Sequence, residues 1–118
     1  MKNFLAVFTG TAEAMEKSGW NALSESARKE RTQAGLTAWH GWMESNKKQI
    51  VFAGGPVGKT RRVSADGIAN TQNNIAGYVV ISAESFEAAT ALFEKHPHFS
   101  IFPGEAVEVM ECLPVPGA

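Results

Sequence analysis

Alternating apolar residues predict strands near the start of the chain and in its last third. Lys2–Thr9 carries large apolar side chains on both of its faces, and so does Ala76–Ser82. Ala106–Leu113 has the pattern of a final strand. A shorter apolar run, Gln49–Ala53, is closed by Gly54-Gly55-Pro56 and predicts one more strand. We therefore expect a sheet of at least four strands.

Helical spacing predicts one long helix between the first two of these strands. It runs from about Leu23 to about Asn46, with Ser24 or Ser26 as its N-cap. A short helix is expected before it, over Thr11–Lys17. At 100° per residue, one apolar arc of the long helix collects Ala27, Ala34, Gly35, Ala38, Trp39, Trp42 and Met43.

A second main helix is predicted between the last two strands. Ser85 is its expected N-cap, and Pro97 is expected to stop it. Lys95 and His96 then fall at its C-terminus, where the helix dipole favours cations. Its apolar stripe follows the i, i+3, i+4, i+7 spacing with Phe86, Ala89, Thr90 and Phe93.

The middle of the chain predicts a hairpin and a loop. Val57–Ala65 is expected to pair with the strand at Gln49–Ala53, and the polar run Asp66–Asn74 is expected to be a turn or loop. Three cations of the hairpin are expected to face solvent: Lys59, Arg61 and Arg62.

This order of elements predicts a single α+β domain over residues 1–118, a ferredoxin-like sandwich of two helices on a mostly antiparallel sheet of four or five strands. Two helices cover only one face of such a sheet. Because the first and fourth strands are apolar on both faces, the other face also needs cover. We expect a second copy to supply it, in a homodimer that packs sheet against sheet.

Composition narrows the class of partner. The net charge is −1 and the cations are scattered, so the chain lacks the basic surface that binds nucleic acid. The single cysteine, Cys112, excludes an internal disulfide, and a small apolar residue in a strand is its expected role. The apolar start of the chain is too short for a signal peptide or a membrane span. We expect a cytoplasmic protein without membrane contact.

His98 is the first candidate for acid–base chemistry. It follows Pro97 at a corner between helix and strand, and Glu108 on the next strand is a candidate to orient it. An imidazole held by a carboxylate is a general base near neutral pH. The competing interpretation is that His98 only bonds loop backbone and fixes the corner. Trp39 and Trp42 are expected to wall an apolar pocket beside it, or to be core residues.

His40 is the second candidate. It lies four residues before Glu44 on the long helix, so the two can form an i, i+4 pair, which on a helix surface is often only a solvated pair. Arg28 and Tyr78 are added to the predicted pocket. Arg28 falls inside the apolar arc, where an arginine either extends to an edge or meets an anion.

Metal and phosphate sites are not expected. Ala53-Gly-Gly-Pro-Val-Gly-Lys-Thr60 differs from a phosphate-binding GxxxxGK[ST] loop in its first position, and the residues that follow show no helical pattern. Three histidines and one cysteine show no ligand spacing. We expect no cofactor.

The chain resembles the YCII-related proteins, whose fold is the dimeric α+β barrel. The resemblance is carried by AGYVVISAESFEAATALFEKHPHF and VEVMECLPVPG, with support from AGGPVG. It implies a small enzyme without cofactor, since members include a dehydrochlorinase that acts on a chlorinated aromatic. A His–Asp pair has been proposed as catalytic in the family. His40 lies near the family histidine, but the aspartate expected toward the end of the same helix is absent, and the only aspartate of this chain is Asp66, in a loop.

Three hypotheses follow for function. The first is an enzyme that uses His98 or His40 for elimination or isomerisation of an apolar or aromatic small molecule, in a pocket between the long helix and the sheet. The second, motivated by the missing aspartate, is a binding or accessory module that holds a ligand without chemistry. The third is a structural dimer whose histidines only tie loops.

Overall fold

A computed structural model describes residues 1–117, and Ala118 lies outside the described part of the chain. The strands are β1 (Lys2–Thr9), β2 (Ile50–Pro56), β3 (Thr60–Ser64), β4 (Gly67–Thr71), β5 (Ile75–Ala83) and β6 (Ala106–Glu111). The α-helices are α1 (Ala12–Lys17), α2 (Glu25–Ser45), α3 (Phe86–Ala91) and α4 (Pro97–Ser100). A single 3-10 turn, Trp20–Ala22, joins α1 to α2.

Four strands form one antiparallel sheet in the order β2-β5-β1-β6. This is the strand order of a ferredoxin-like fold, with the β3–β4 hairpin inserted between the second and third strands of the sheet. The predicted α+β class is therefore confirmed. β1 occupies the predicted residues and lies in the middle, where Leu5 pairs with Val80 on one side and with Met110 on the other.

The prediction for the middle of the chain was wrong. Residues 57–65 do not pair with β2, whose partner is β5. Instead β3 pairs with β4, so part of the predicted polar loop is a strand. The run from Gly67 to Thr71 is short and exposed throughout, and hairpin pairing decides its structure more than apolar periodicity does.

The long helix is confirmed, and its cap is Ser24. The Ser24 side chain accepts a hydrogen bond from the Ala27 N–H at 3.2 Å. Thr11 caps α1 in the same way, accepting from the Ala14 N–H at 3.0 Å.

The second main helix is shorter than predicted. α3 ends at Ala91, and Lys95 then takes a left-handed conformation with φ 57°, which prevents helix continuation. Pro97 therefore begins α4 rather than ending α3, in the first helical turn that proline favours. His96 is the N-cap of α4, and the prediction of a C-terminal cation at this position was wrong.

The core lies between the helices and one face of the sheet. It comprises Phe4, Ala6, Phe8, Val79, Ile81, Ala83, Ala89 and Phe93, with Trp39 and Trp42 of α2 packed against it. Aromatic side chains bridge α2 to the sheet, since the rings of Trp39 and Phe8 lie 4.9 Å apart.

The opposite face of the sheet, which we call the outer face, has no helix over it. It presents Leu5, Phe52, Tyr78, Val80 and Met110, by strand alternation and register. Phe52 and Met110 are exposed. Cys112 lies just after β6 and is exposed, so its predicted place inside a strand was wrong. No helix among residues 1–117 combines the length and the apolar character needed to cross a bilayer.

Candidate active site

A cavity of about 510 Å³ lies between α2 and the β2–β5 half of the sheet. α2 contributes Leu36, Trp39, His40, Trp42 and Met43, and the opposite wall is formed by residues 53–56 of β2 and 76–79 of β5. Phe8, His98 and Phe102 complete the lining. Five of the predicted site residues thus surround one cavity: Trp39, Trp42, His40, Tyr78 and His98.

Glycines keep the sheet side of the cavity open. Gly54 has a φ of 61°, and a Cβ there would overlap the backbone carbonyl of Tyr78. Only glycine adopts that conformation without strain while two strands approach so closely. Strand alternation directs the Tyr78 side chain to the outer face, where its ring lies 6.1 Å from that of Phe52. Tyr78 therefore contributes backbone to the wall, and its phenol does not point into the cavity.

His98 is buried and fixed by the end of the central strand. Its Nε2 lies 2.7 Å from the Thr9 carbonyl oxygen. A carbonyl oxygen only accepts hydrogen bonds, so Nε2 must carry the hydrogen. In the neutral imidazole this leaves the lone pair on Nδ1.

Nδ1 of His98 is the ring nitrogen left to accept a hydrogen bond. It makes no hydrogen bond within residues 1–117, and it is not among the enclosed polar atoms that lack a partner. His98 lines the cavity, so a molecule bound there lies against this residue. Burial lowers the pKa of His98, and the hydrogen bond to Thr9 partly opposes that shift. The ring is therefore an unprotonated base at neutral pH.

Two neighbours that the sequence did not reveal hold His98 in place. Gly104 donates its N–H to the His98 carbonyl at 2.9 Å, and a Cβ at Gly104 would overlap the imidazole ring. Glu105 bonds Thr9 twice, because its N–H donates to the Thr9 carbonyl and its carboxylate accepts from the Thr9 hydroxyl, both at 2.9 Å. The sequence signal was the Pro-Gly-Glu run, which reads as an ordinary turn.

His96 is a second buried histidine behind the cavity wall. Its Nδ1 accepts a hydrogen bond from the His98 N–H at 3.0 Å, so the two residues are coupled through the first turn of α4. Its ring is packed edge-on against Trp39 and also contacts Trp42. Nε2 has no hydrogen-bond partner among the described residues. Burial and, second, the charge of a protonated His98 lower the pKa of His96 to about 4.

Stability should fall with acid because of His96. In the unfolded chain it is protonated below about pH 6.5, whereas in the fold it stays neutral down to about pH 4, so the unfolded state binds more protons in that interval. The neutral His96 side chain makes its full contribution to the unfolding free energy above pH 6.5, and this contribution is lost as the pH falls to about 4. The loss is about 3 kcal/mol. Urea unfolding at a series of pH values measures it.

The matched control for this prediction is His96→Asn. Asparagine keeps an N-cap acceptor but does not titrate, so its unfolding free energy should decline much less between pH 6.5 and pH 4. The carboxylates are the same in both proteins, so their effect on the pH dependence of stability cancels when the two are compared. Equal losses in the two proteins would show that His96 is not the group responsible.

His40 lies at the rim of the cavity and is exposed. The predicted pair with Glu44 is absent, because Glu44 instead bonds Lys47 at 3.0 Å. His40 therefore lines the entrance without the fixed orientation that His98 has.

Two predicted site residues lie elsewhere. Glu108 pairs with Val7 in the sheet, which places it on the outer face, away from His98. Arg28 does not line the cavity, since its guanidinium donates to the backbone carbonyls of Trp20 and Asn21. Both predictions were wrong because the sequence does not fix where these two side chains lie. The sequence does not show which face of the last strand meets the corner, or how the residues before α2 fold back on it.

Within residues 1–117, metal-ligating side chains form no cluster and the Ala53–Thr60 segment forms no phosphate loop. No group of three or more histidine, cysteine, aspartate or glutamate side chains in residues 1–117 is placed to hold a metal ion. The segment that resembles a phosphate loop runs from β2 into β3, so it leads into a strand and lacks the helix N-terminus that such a loop needs.

Comparison with known proteins gives a likeness to solved structures. No protein-family model and no curated protein matches the chain. The solved structure of 5-chloro-2-hydroxyhydroquinone dehydrochlorinase from Burkholderia phenoliruptrix AC1100, in complex with 2,5-dihydroxybenzoquinone, is similar to it with a TM-score of 0.48 and 18% identity. The likeness covers 91% of this chain and 89% of that chain.

Proposed function

We propose that the cavity between α2 and the sheet binds an uncharged, apolar or aromatic small molecule, and that His98 acts on it as a general base. The observation that carries the proposal is the hydrogen bond from His98 Nε2 to the Thr9 carbonyl. It fixes one tautomer and leaves the lone pair on Nδ1 of a residue that lines the cavity. A general base needs both a fixed orientation and a suitable pKa.

The lining supports this class of ligand. It contains no lysine, arginine, aspartate or glutamate, so nothing in it compensates a charged ligand. Trp39, Trp42, Phe8 and Phe102 offer flat apolar surfaces, against which an aromatic or alicyclic ring packs well. A volume of about 510 Å³ is in the usual range for small-molecule sites.

The chemistry that fits is proton transfer from carbon without a cofactor. His98 Nδ1 takes a proton from a carbon next to a carbonyl or comparable group, and the imidazolium that forms keeps its bond to Thr9. The electron pair left on carbon then either expels a leaving group, in an elimination, or is reprotonated at another carbon, in an isomerisation. Such reactions suit an enzyme of the YCII-related kind.

Deuterium exchange tests the proposal without knowledge of the natural substrate. The protein is incubated in D₂O with a panel of small phenyl and cyclohexenyl ketones, and carbon-bound hydrogen is followed by proton NMR. We expect deuterium to enter at the carbon next to the carbonyl, faster than with buffer imidazole at an equal concentration of base. Binding of several panel members without exchange would exclude the general base.

A binding module without catalysis is the second candidate. The observation that favours it is the absence of a carboxylate bonded to the His98 ring within residues 1–117, since Glu105 reaches only Thr9. An imidazole without such a partner is a weaker base when it must become charged. In the exchange experiment this candidate gives ligand-dependent shifts of the His98 resonances with no deuterium in the ligand.

We also propose that the protein works as a homodimer in which the outer face is covered by a second copy. One chain exposes 8319 Å², whereas about 6,200 Å² is usual for a folded monomer of this mass. Its radius of gyration is 16.3 Å, against about 13.5 Å for a compact chain of this length. The excess surface is larger than the roughly 800 Å² that each partner hides in a standard interface.

A further inference from the structure

The β3–β4 hairpin is the part of the chain that its own fold supports least. We call residues 58–73 the arm. Its two strands pair over five positions, from Thr60 opposite Thr71 to Ser64 opposite Gly67. None of the residues of either strand is buried, and neither strand pairs with the four-stranded sheet. An isolated two-stranded hairpin is marginally stable in water, so an arm with a regular ladder needs a surface to pack on.

The arm carries an apolar pair near its tip. Val63 and Ile68 lie opposite each other in register, so their side chains share one face of the ribbon, and they are 76% and 70% exposed. Arg61 and Asn70 lie on the same face, two ladder positions further from the tip. This face therefore combines an exposed apolar pair with an arginine, a residue type enriched at protein interfaces.

We propose that the arm docks on the body of a second copy of this chain, so that each copy of a two-fold dimer holds the other with its arm. This goes beyond the proposed function and rests on the homodimer proposed with it, because it names a second contact outside the outer face. Five arm residues have no other role in the fold, and the proposal places them in the interface. They are Lys59, Arg61, Arg62, Val63 and Ile68.

Charge favours a second copy as the occupant. The arm carries three cations and one anion, and the rest of the chain carries eight cations and eleven anions. A basic arm is therefore attracted to the acidic body of another copy, and in a two-fold dimer both such contacts form at once. The excess surface of the single chain is also large enough to include an arm contact in addition to the outer face.

The arm is continuous with the cavity wall. β2 leads into it at Pro56, and β5 begins immediately after it at Ile75. Residues of both strands line the cavity next to these points. A docked arm therefore restrains the two strands that form the sheet side of the candidate site.

A pair of double variants tests the arm. Val63→Ser with Ile68→Ser removes its apolar pair, and we expect the dimer dissociation constant to rise about 100-fold or more, since two arms each lose two buried side chains. The control is Leu113→Ser with Val115→Ser, which changes equally exposed apolar residues, 73% and 71%, after β6. Sedimentation velocity over a range of concentrations measures both constants, and circular dichroism shows that the variants are folded.

Trypsin provides an independent readout, because Lys59, Arg61 and Arg62 place three cleavage sites in the arm. In the wild-type protein, cleavage there should slow as the concentration rises through the dissociation constant, and it should not slow in the Val63/Ile68 variant. The arm contact is overturned if the dissociation constant of that variant is unchanged, or if cleavage of the wild-type arm does not depend on protein concentration. Neither result contradicts the dimer that covers the outer face. A wild-type chain that stays monomeric at high micromolar concentration overturns both.

Discussion

Replacing His98 by glutamine should reduce proton transfer to a bound ketone by about 10²- to 10⁴-fold, the usual contribution of a positioned general base. Glutamine places an amide nitrogen near the position of imidazole Nε2, so it can still donate to the Thr9 carbonyl. It offers no basic nitrogen at the position of Nδ1. Ligand affinity should change little, because the apolar lining is untouched. Deuterium exchange and a binding titration, measured on the same ketone, separate the two effects.

His40→Gln is the matched control for that experiment. It makes the same substitution in the other histidine of the lining, which is exposed at the rim and bonded to no carboxylate. We expect the exchange rate of this variant to stay within a few fold of wild type. If His40→Gln loses the activity while His98→Gln keeps it, the base has been assigned to the wrong histidine.

The pH dependence of the exchange rate identifies the base as well. Burial lowers the pKa of His98, so the unprotonated form persists below the pH at which an exposed histidine becomes charged. The midpoint of the decline in the wild-type rate on acidification should therefore lie below about pH 6.5, the unperturbed value.

The sheet could be predicted from sequence because its strands have strong patterns. β1 is apolar at every position from Phe4 to Phe8. A strand that is apolar on both faces is typical of the middle of a sheet, whichever face meets the helices. The arm could not be predicted in the same way. Apart from the pair Val63 and Ile68, its strands carry mostly polar residues and none is buried, so only turn geometry and pairing distinguish a hairpin from a loop.

The walls of the cavity could be predicted in outline from the sequence. The environment of His98, the proposed general base, could not. Trp39 and Trp42 lie on the apolar arc of α2 and necessarily face the sheet. The partner of His98, in contrast, is a backbone carbonyl 89 residues earlier in the chain. Backbone acceptors have no side-chain signature, so the sequence pointed to a carboxylate on the next strand, Glu108, which lies on the wrong face.

The burial of His96 was missed for a related reason. A histidine after a lysine at a helix end usually complements the helix dipole in solvent. Here Lys95 turns the chain with a positive φ, and α4 begins at the next proline. That single backbone conformation moves His96 from a surface to the interior. No periodicity in the sequence predicts it, because lysine rarely adopts left-handed backbone.

The second large effect is expected for Phe8→Ala, because one ring joins the core to the candidate site. Phe8 is buried, and its ring lies 4.9 Å from Trp39, 5.1 Å from His96 and 5.3 Å from His98. Removing a buried phenylalanine side chain costs about 3–5 kcal/mol, a large share of the stability of a small protein. Urea unfolding at neutral pH measures the loss.

Phe86→Ala is the control, since Phe86 is half-exposed and packs on Phe4 at the edge of the core, with ring centroids 5.5 Å apart. It should cost about 1–2 kcal/mol, because less of the ring leaves water on folding. Phe8→Ala also opens the cavity toward both histidines, so water reaches His98 and its pKa should move back toward the ordinary value. Histidine NMR titration follows that shift in the folded variant. If Phe8→Ala costs no more than Phe86→Ala and leaves the titration of His98 unchanged, then Phe8 does not connect the core to the site.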